Sequence, residues 1–423
     1  MGAIKNIKKG FLTFSIPFLA LLFSAHTIAS TNSDVLASAR AKGKLVADYW
    51  VNSSGKSPTS DYYADACSFY GSIRFGEANK DSSYYKKIYN TYKNRTSPIP
   101  TGDVDKNSAG LLPLYLFTKS RDSAMLKLGK AAADASVNAG GYKRDAIDDT
   151  YMTGSLMIQA YRATGDTKYL DFCADYIIYY QGKLLQDSNG LYWHRIGSKL
   201  FWSRGNGWGA SSTTELLLEL PKTHAKYAGV LAGFQKHMNG LLKAQRTSGL
   251  WMQLLDSDAS NNWVETSGSS MFLFAMFTGM EKGWLDSATF LEPAKKGWNA
   301  LLGYLGNDGK LKNICTGFWG DGTAASYLNA AHNEAGNAHG TCGFLWASTA
   351  IINFFTAQVA TREWIAVERN TVHYSSIHGA NVSFDLMGRI VPFTAGPGAQ
   401  RFSPSGLLLK KDVSRNGTYI VIR

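Results

Sequence analysis

Two short segments of the sequence carry residues suited to acid–base chemistry and to the binding of an anion. The segment RDAIDDTYM contains Asp148 and Asp149 at the start of an apolar stretch with helical spacing. The segment FWSRGNGW places Arg204 between Trp202 and Trp208 on a glycine-rich turn. An acid, a guanidinium that grips a carboxylate and flat aromatic faces are what the binding and conversion of an acidic sugar require. The two segments therefore predict a site for an acidic sugar.

The acidic candidates each have two interpretations. Asp148 and Asp149 point about 100° apart on a helix, so only one of them faces a given cavity. The helix N-terminus favours the ionised carboxylate, whereas burial or a nearby second carboxylate favours the protonated form, which is a general acid. A first-turn acid that serves only the helix dipole is the alternative. Asp105, in DVDKNSAGLLPLY, and the pair Glu265 and Thr266, in WVETSGSSMF, fit helix capping as well as a site.

The basic and aromatic candidates are read in the same way. Glycines on both sides of Asn206 permit unusual backbone angles and the close approach of a ligand. The planar fork of Arg204 matches a carboxylate, and pairing with a structural acid is its alternative. His194 in LYWHRI, Tyr63 in SDYYADACSFYG and His339 in NAHGTCGFLW are candidates for the wall of the same cavity or for hydrogen-bonded structural groups.

The start of the chain predicts export. Lys5, Lys8 and Lys9 precede the apolar run FLTFSIPFLALLF, and HTIAS then offers small residues for cleavage. We expect residues 1–30 to be a signal peptide and the mature protein to be periplasmic, extracellular or on the cell surface. No later run resembles a transmembrane helix.

The charge of the chain favours an acidic partner. The net charge is +12, and removal of the three signal lysines leaves 12 − 3 = +9. Lysine and arginine are scattered instead of forming the dense runs of a nucleic-acid arm, and aromatic residues make up 13% of the chain. These features favour an acidic oligosaccharide over nucleic acid, with a solvated basic surface as the alternative. The oligomeric state is left open.

The remaining chain predicts a helical domain followed by a small β module. Apolar residues at three- and four-residue spacing run from about 33 to 358, with turn signals such as ATGD, DSNG and GNDG between them. Twelve helices in six hairpins predict an all-α (α/α)6 barrel over residues 31–360. Short strand patterns predict a β-rich sorting or anchoring module over residues 365–423. The helices are expected near 33–49, 61–78, 82–93, 106–118, 121–138, 147–164, 166–183, 206–219, 224–246, 266–281, 286–305 and 340–357.

The four cysteines do not form a metal or nucleophile pattern. They are far apart, with no CxxC and no closely spaced Cys/His set, so neither a zinc site nor any other metal or organic cofactor is expected. We expect buried thiols, with one bridge allowed by export: Cys67, Cys173, Cys315 and Cys342.

An ordered series of motifs resembles a known enzyme family. VDKNSAGLLPLYL, IDDTYM, QAYRATGDTKYLD, NGLYWH, FWSRGNGW, WMQLLDSD, WVETSGSSMF and NAHG resemble glycoside hydrolase family 105, the unsaturated uronyl hydrolases, over residues 61–358. The resemblance implies an (α/α)6 barrel, in agreement with the helix count. It implies that Asp148 is the catalytic acid/base and Asp105 a second active-site carboxylate. His194, Arg204 and Trp208, with a looser match at Tyr63, are implied to line the sugar site.

Two positions depart from the family pattern. Ala146 stands where a tryptophan usually precedes the IDD motif, and Ser203 replaces a usual glycine before Arg204. The first change would open the cavity wall and so bears on substrate preference.

The resemblance also implies a reaction. A 4,5-unsaturated uronic acid at the end of a lyase product would be protonated at C4 by Asp148, hydrated at C5 and then released. Three other functions remain open: an α/α-barrel lyase acting on uronic-acid polysaccharide, a two-carboxylate glycosidase using Asp148 and Asp105, and a non-catalytic protein that binds acidic sugar.

Overall fold

The chain folds into two compact units, Met1–Ala360 and Thr361–Arg423. The computed structural model describes the backbone of residues 17–372 and of five short strands between 383 and 422, and the side chains of residues 32–359. The predicted signal peptide, residues 1–30, lies outside the side chains so described. The side chains of the predicted sorting module, residues 365–423, also lie outside those described.

All twelve predicted helices are present. The segment predicted at 106–118 is divided into α4, a 3₁₀ turn at Ser108–Gly110 and α5, and a short extra helix, α13, precedes the last one. The helices are α1 (Pro17–Asp48), α2 (Tyr63–Ala78), α3 (Ser83–Tyr92), α4 (Val104–Asn107), α5 (Leu111–Ser120), α6 (Ser123–Asn138), α7 (Asp149–Thr164), α8 (Thr167–Leu184), α9 (Ser203–Glu219), α10 (Tyr227–Ala244), α11 (Thr266–Glu281), α12 (Ser287–Leu302), α13 (Ala324–Leu328) and α14 (Ala338–Val372).

Burial separates the helices into an inner and an outer ring. In α7 every residue from Asp149 to Ala160 is buried, whereas α8 buries one face only. The inner helices α5, α7, α9 and α11 pack against one another in sequence order, and each is followed by an outer helix, α6, α8, α10 or α12. Contacts of Trp346 with Phe274, and of Ser68 with the carbonyl of Ala338, close the ring through α14. This is the predicted (α/α)6 barrel.

Two glycines allow α9 and α11 to approach closely. A methyl group on Gly268 would lie 2.8 Å from the carbonyl oxygen of Ser203, and one on Gly207 would lie 2.7 Å from the sulfur of Met271. At position 268 the contact is with backbone, so only glycine fits there without displacing a helix, whereas at position 207 the side chain of Met271 would have to move. The glycines of FWSRGNGW and WVETSGSSMF therefore fix the distance between two inner helices.

The inner helices all begin at the same end of the barrel. Tyr63, Asp149, Arg204 and His339 lie in the first turns of α2, α7, α9 and α14. Short antiparallel bridges, such as Ala146 with Arg195, connect the loops at this end. The stretch 303–337 between α12 and α14, for which no long helix is predicted, crosses the same end.

Among the described residues, one segment is long and apolar enough to cross a membrane. It is Ala338–Val359 of α14, with a mean hydropathy of 1.3, and 72% of its apolar window is buried inside the molecule. That burial is typical of an inner helix, so length and composition are weak grounds for a membrane span here.

The second unit contains short antiparallel strands. Strands β1 (Ser383–Phe384) and β2 (Ile390–Val391) pair, and β3 (Arg401–Phe402), β4 (Leu408–Ser414) and β5 (Gly417–Ile422) form a sheet in that order. Strands β4 and β5 pair from Leu409 with Ile422 to Ser414 with Gly417. The β character predicted for this end of the chain is present.

Candidate active site

A cavity of about 370 Å³ opens at the end of the barrel where the inner helices begin. Its size is within the range of pockets that hold small ligands. Polar and aromatic side chains share its wall, which consists of Tyr62, Tyr63, Asp105, Arg144, Asp148, Met152, Trp202, Arg204, Trp208, Gly317, Phe318 and Trp319.

Asp148 precedes α7 but does not cap it. Its side chain makes no capping hydrogen bond, and its Oδ2 lies 3.1 Å from Nε2 of His194. Its Oδ1 is buried and has no hydrogen-bond partner within the described part of the chain. A carboxylate oxygen left in this state is costly unless a ligand or water meets it. The helix-dipole interpretation of Asp148 therefore does not account for its contacts.

The electrostatic setting of Asp148 differs from the sequence-based expectation of a proton held by burial. Burial raises the pKa of Asp148, but the hydrogen bond from His194, together with the charges of Arg144 and Arg204, outweighs it and lowers the pKa below its ordinary value. Asp148 is thus a carboxylate in the free protein at neutral pH.

Behind Asp148, His194 is held by a second hydrogen bond on its other ring nitrogen. His194 is fully buried, and its Nδ1 lies 2.5 Å from the hydroxyl of Tyr327, which is 2.7 Å from Oγ of Ser198. His194 also packs against the ring of Trp202 at a centroid distance of 4.7 Å. The histidine therefore lies behind the cavity wall and acts on the cavity through Asp148.

Arg144 links the two other aspartates. Its terminal nitrogens donate to both carboxylate oxygens of Asp105 at 2.9 and 3.1 Å, and its Nε donates to Asp149 at 2.6 Å. Asp149 is fully buried behind the wall and also accepts from the hydroxyl of Tyr180. Capping of α4 is done by Asp103, which leaves Asp105 to face the cavity. Burial raises the pKa of Asp105 and outweighs the opposing effect of Arg144.

Arg204 is a buried cation without an acidic partner. Its terminal nitrogens donate to the carbonyl oxygens of Cys315 and Thr316, and its guanidinium carbon lies 4.5 Å above the ring of Trp202. Its Nε is buried with no hydrogen-bond partner, and no carboxylate within residues 32–359 forms an ion pair with it. Its position in the first turn of α9 is unfavourable for a cation. An anion at this point would relieve both costs.

Tyr63 is held by a histidine whose proton position follows from its contacts. Burial lowers the pKa of His339 well below its usual range, so the ring is neutral. Oδ1 of Asn337 lies 2.7 Å from His339 Nδ1 and accepts that N–H, which leaves Nε2 to accept from the hydroxyl of Tyr63 at 2.7 Å. Burial raises the pKa of Tyr63 well above its usual range. Tyr63 therefore stays protonated and offers lone pairs, not a base, to the cavity.

Glu265 and Thr266 serve the frame of the site. Glu265 caps α11 by accepting from the backbone N–H groups of Ser267 and Gly268. It also accepts from the N–H of Cys315 at 3.1 Å, and Thr266 donates to a carbonyl of the same stretch, that of Lys312. These contacts place the carbonyl groups that bind Arg204.

The structure gathers the predicted residues at one end of the barrel. Asp149 and His194 lie directly behind the wall, and the others line it: Tyr63, Asp105, Asp148, Trp202, Arg204 and Trp208.

Sequence reasoning missed Arg144, although it stands in the RDAIDD segment, and it missed Trp319 and Tyr327, which lie in a stretch without helical spacing. All four cysteines are free and buried, so the bridge allowed from the sequence is absent. Within the described residues no cluster of His, Cys, Asp and Glu suits a metal ion.

Comparison with known proteins identifies the family. The model of glycosyl hydrolase family 88 matches residues 38–355. The chain belongs to glycosyl hydrolase family 88. It is 26% identical over 232 residues to an unsaturated 3S-rhamnoglycuronyl hydrolase of Alteromonas sp. (strain LOR), covering 48% of this chain and 54% of that protein. It is 23% identical to the unsaturated rhamnogalacturonyl hydrolase YesR of Bacillus subtilis (strain 168), over 59% of this chain and 77% of that protein.

A solved structure shows the same fold. A glycoside hydrolase of family 105 from C. acetobutylicum ATCC 824 superposes with a TM-score of 0.65 at 22% identity, covering 73% of this chain and 98% of that one. The chain spans about half the length of the first of these curated relatives, at 54%. Family and fold are thereby established.

Proposed function

We propose that this protein removes the terminal 4,5-unsaturated uronic acid from oligosaccharides produced by polysaccharide lyases. The observation that carries the proposal is a cavity that holds two groups with incomplete contacts within residues 32–359: the buried carboxylate of Asp148, whose Oδ1 has no hydrogen-bond partner, and Arg204, which forms no ion pair. The relatives named above carry the same class of activity in their names. Membership of a glycosyl hydrolase family supports hydrolysis as the reaction.

Each step of the reaction has a group in the cavity. The uronate carboxylate binds against Arg204 on the cavity wall, while the terminal nitrogens of that residue stay on the backbone carbonyls. Asp148 donates a proton to C4 of the C4=C5 double bond, and the cation at C5 is stabilised by the ring oxygen. Water adds to C5 and returns its proton to Asp148. The resulting hemiketal opens, which releases the neighbouring sugar from C1.

Binding of the substrate is expected to raise the low pKa of Asp148. A uronate carboxylate is a second negative charge beside Asp148, and like charges raise a carboxyl pKa. By pairing with Arg204 the uronate also neutralises one of the cations that lower this pKa in the free protein. Binding of the acidic substrate therefore shifts Asp148 toward its protonated form, and an uncharged sugar would not produce this effect.

The phenol of Tyr63 does not suit the base that the lyase alternative requires. A lyase must remove the proton at C5, and the phenol of Tyr63 is held protonated by a pKa well above its usual range. Asp105, the partner that a two-carboxylate glycosidase would need, is bound by Arg144 through both of its oxygens. The geometry therefore favours hydrolysis that uses one carboxylate.

The N-terminal segment and the names of the relatives bear on where the enzyme acts and on which substrate. We infer that residues 1–30 direct export, as the lysines and apolar run of this segment predict, and that the enzyme acts outside the cytoplasm. The relatives' names suggest rhamnose as the neighbouring sugar. We propose a rhamnosyl-linked unsaturated uronate as the first substrate to test.

The test follows the ultraviolet absorbance of the conjugated C4=C5 bond with a set of lyase-generated oligosaccharides. The parent protein lowers the absorbance of at least one member. Asp148→Asn keeps affinity for that member but loses about a hundred- to ten-thousandfold in turnover, the usual size of positioned proton transfer. Asp145→Asn is the matched control, because Asp145 has a φ of 54° that asparagine tolerates and it bonds Tyr179 instead of facing the cavity.

Three outcomes would contradict the proposal. Parental turnover by Asp148→Asn would remove this residue from the chemistry. Rising absorbance on uncut polysaccharide would make the protein a lyase. Binding of acidic sugar with no change of absorbance on any substrate would make it a binding protein.

A further inference from the structure

Tyr327 reaches the active site from a stretch of the chain that sequence patterns leave unassigned. It lies on α13, and its side chain is fully buried. Its hydroxyl is 2.5 Å from Nδ1 of His194 and 2.7 Å from Oγ of Ser198. Its carbonyl accepts from Nε2 of Gln253 at 3.1 Å, which fixes the backbone at this point. Tyr327 is not part of the cavity wall, so it does not meet a ligand directly.

The contacts of His194 allow one arrangement of protons when its ring is neutral. Asp148 is a carboxylate in the free protein and can only accept, so His194 Nε2 carries the proton that bridges the 3.1 Å between them. Nδ1 then bears a lone pair and must accept from Tyr327. The hydroxyl of Tyr327 in turn accepts from Ser198. Three hydrogen bonds thus run in one direction, from Ser198 to Tyr327, from Tyr327 to His194 and from His194 to Asp148.

We propose that Tyr327 is a positioning residue for the reaction, fixing His194 in the form that carries its proton on Nε2 and aims it at Asp148. The proposal rests on the role of Asp148 argued above. Which ring nitrogen of a histidine is protonated is set by the hydrogen bond that the other nitrogen makes. Without the phenol, the form protonated on Nδ1 gains population and turns a lone pair toward the carboxylate. Asp148 then loses the donor that holds it.

Packing allows the hydroxyl to be tested by itself. The ring of Tyr327 meets that of Phe318 at a centroid distance of 5.0 Å and that of Trp202 at 6.3 Å, and a phenylalanine would keep both contacts. The imidazole of His194 remains enclosed by Trp202 and Trp319. Tyr327→Phe therefore removes the two hydrogen bonds of the hydroxyl, to His194 and to Ser198, and little else.

The first measurement separates kcat from KM. Tyr327→Phe is expected to lower kcat by about tenfold to a hundredfold, the usual loss when the partner that orients a functional histidine is removed. KM stays unchanged, because Tyr327 does not line the cavity. Tyr169→Phe is the matched control: Tyr169 is also fully buried, and its hydroxyl donates to Asp134 on an outer helix. Its kcat equals that of the parent. Parental kcat in Tyr327→Phe overturns the proposal.

The second measurement is independent of activity. Nitrogen-15 spectra of histidine-labelled protein, with His194→Gln used for assignment, show His194 protonated on Nε2 and bare on Nδ1 in the parent. Tyr327→Phe shifts the signals toward the form protonated on Nδ1, and Tyr169→Phe does not. A loss of kcat without this shift assigns Tyr327 a merely structural role and overturns the proposal. If the parent turns over no unsaturated oligosaccharide, the proposed function fails while the spectra still test Tyr327.

Discussion

At the scale of single residues, the cavity is defined by two charged groups whose direct contacts are incomplete. Arg204 is buried at the start of α9, its hydrogen bonds go to backbone carbonyls, and no carboxylate within residues 32–359 forms an ion pair with it. Oδ1 of Asp148 is buried without a partner among the described residues. An anionic ligand in this cavity would place its carboxylate against Arg204 and its reacting carbon beside Asp148.

Replacement of Arg204 by lysine tests the binding of the uronate. A single ammonium cannot keep both carbonyl contacts and present a second edge to the substrate, so Arg204→Lys loses a charged hydrogen bond of about 1.5–3 kcal/mol. KM is expected to rise by roughly tenfold to a hundredfold with kcat less affected, because the carboxylate is bound equally in the ground and transition states. Steady-state kinetics on the oligosaccharide that responds best gives both constants.

The matched control lies at the other end of the inner helices. Arg162, near the end of α7, is a largely buried arginine that pairs with Glu215 at 3.0 Å and Glu219 at 2.8 Å. Arg162→Lys is expected to lower thermal stability and to leave KM unchanged. An unchanged KM in Arg204→Lys would mean that another group holds the carboxylate.

The residue types of the site are readable from the sequence, but their pairing is not. Asp148, Arg204 and Trp208 stand in segments whose composition predicts a sugar site. Arg144 stands four residues before Asp148, yet its bond to Asp105 joins residues that are 39 apart in sequence and depends on the packing of α4 against α7. For the same reason the low pKa of Asp148 is a property of the assembled site.

At the scale of elements, the site is held by the close packing of α9 against α11. A methyl group at position 268 would lie 2.7 Å from the carbonyl carbon of Ser203 and 2.5 Å from its Oγ. Gly268→Ala must therefore displace one inner helix relative to the other, a change that typically costs about 1–3 kcal/mol. Because Arg204 follows Ser203 directly, the same displacement moves the guanidinium. We expect a lower unfolding midpoint together with a raised KM.

A glycine with free space provides the control for this prediction. A methyl group at Gly182, inside α8, would meet nothing within 4 Å. Gly182→Ala is expected to stabilise the protein by up to about 1 kcal/mol through the higher helix propensity of alanine, with no change in KM. Chemical denaturation of both variants gives the comparison. Equal stability of Gly268→Ala and the parent would show that the two helices have room to separate.

The outer helices of the barrel are predictable because each is apolar on one face, which leaves a helical period in the sequence. The inner helices are buried over most of their length and are marked by the turn signals on either side of them. The stretch 303–337 lacks such periodicity. It is fixed instead by contacts to other elements: Cys315 donates to Glu265, and Tyr327 bonds to His194. Its contribution to the site could therefore be seen only in three dimensions.

At the scale of the whole molecule, buried neutral histidines link stability to pH. His237 is buried against Asn206 of the FWSRGNGW segment, with 3.1 Å between Nε2 and the side-chain oxygen. Burial lowers the pKa of His237 to about 3. In the unfolded chain an imidazole titrates at about 6.5. Below that pH the unfolded state takes up a proton that the folded state does not bind, so the contribution to stability is lost as the pH falls.

The free energy of unfolding should therefore decrease by about 1.4 kcal/mol per pH unit for His237 as the pH falls from 6.5 toward 3. In His237→Gln an amide can still donate to Asn206, but it carries no titrating group. We expect the parent to lose about 2 kcal/mol more than this variant between pH 7 and pH 5, measured by chemical denaturation at both pH values. Equal losses in the two proteins would show that water reaches His237 in the folded state. Because Asn206 also receives the N–H of Tyr192, two residues before His194, acid unfolding is expected to begin in the frame of the active site.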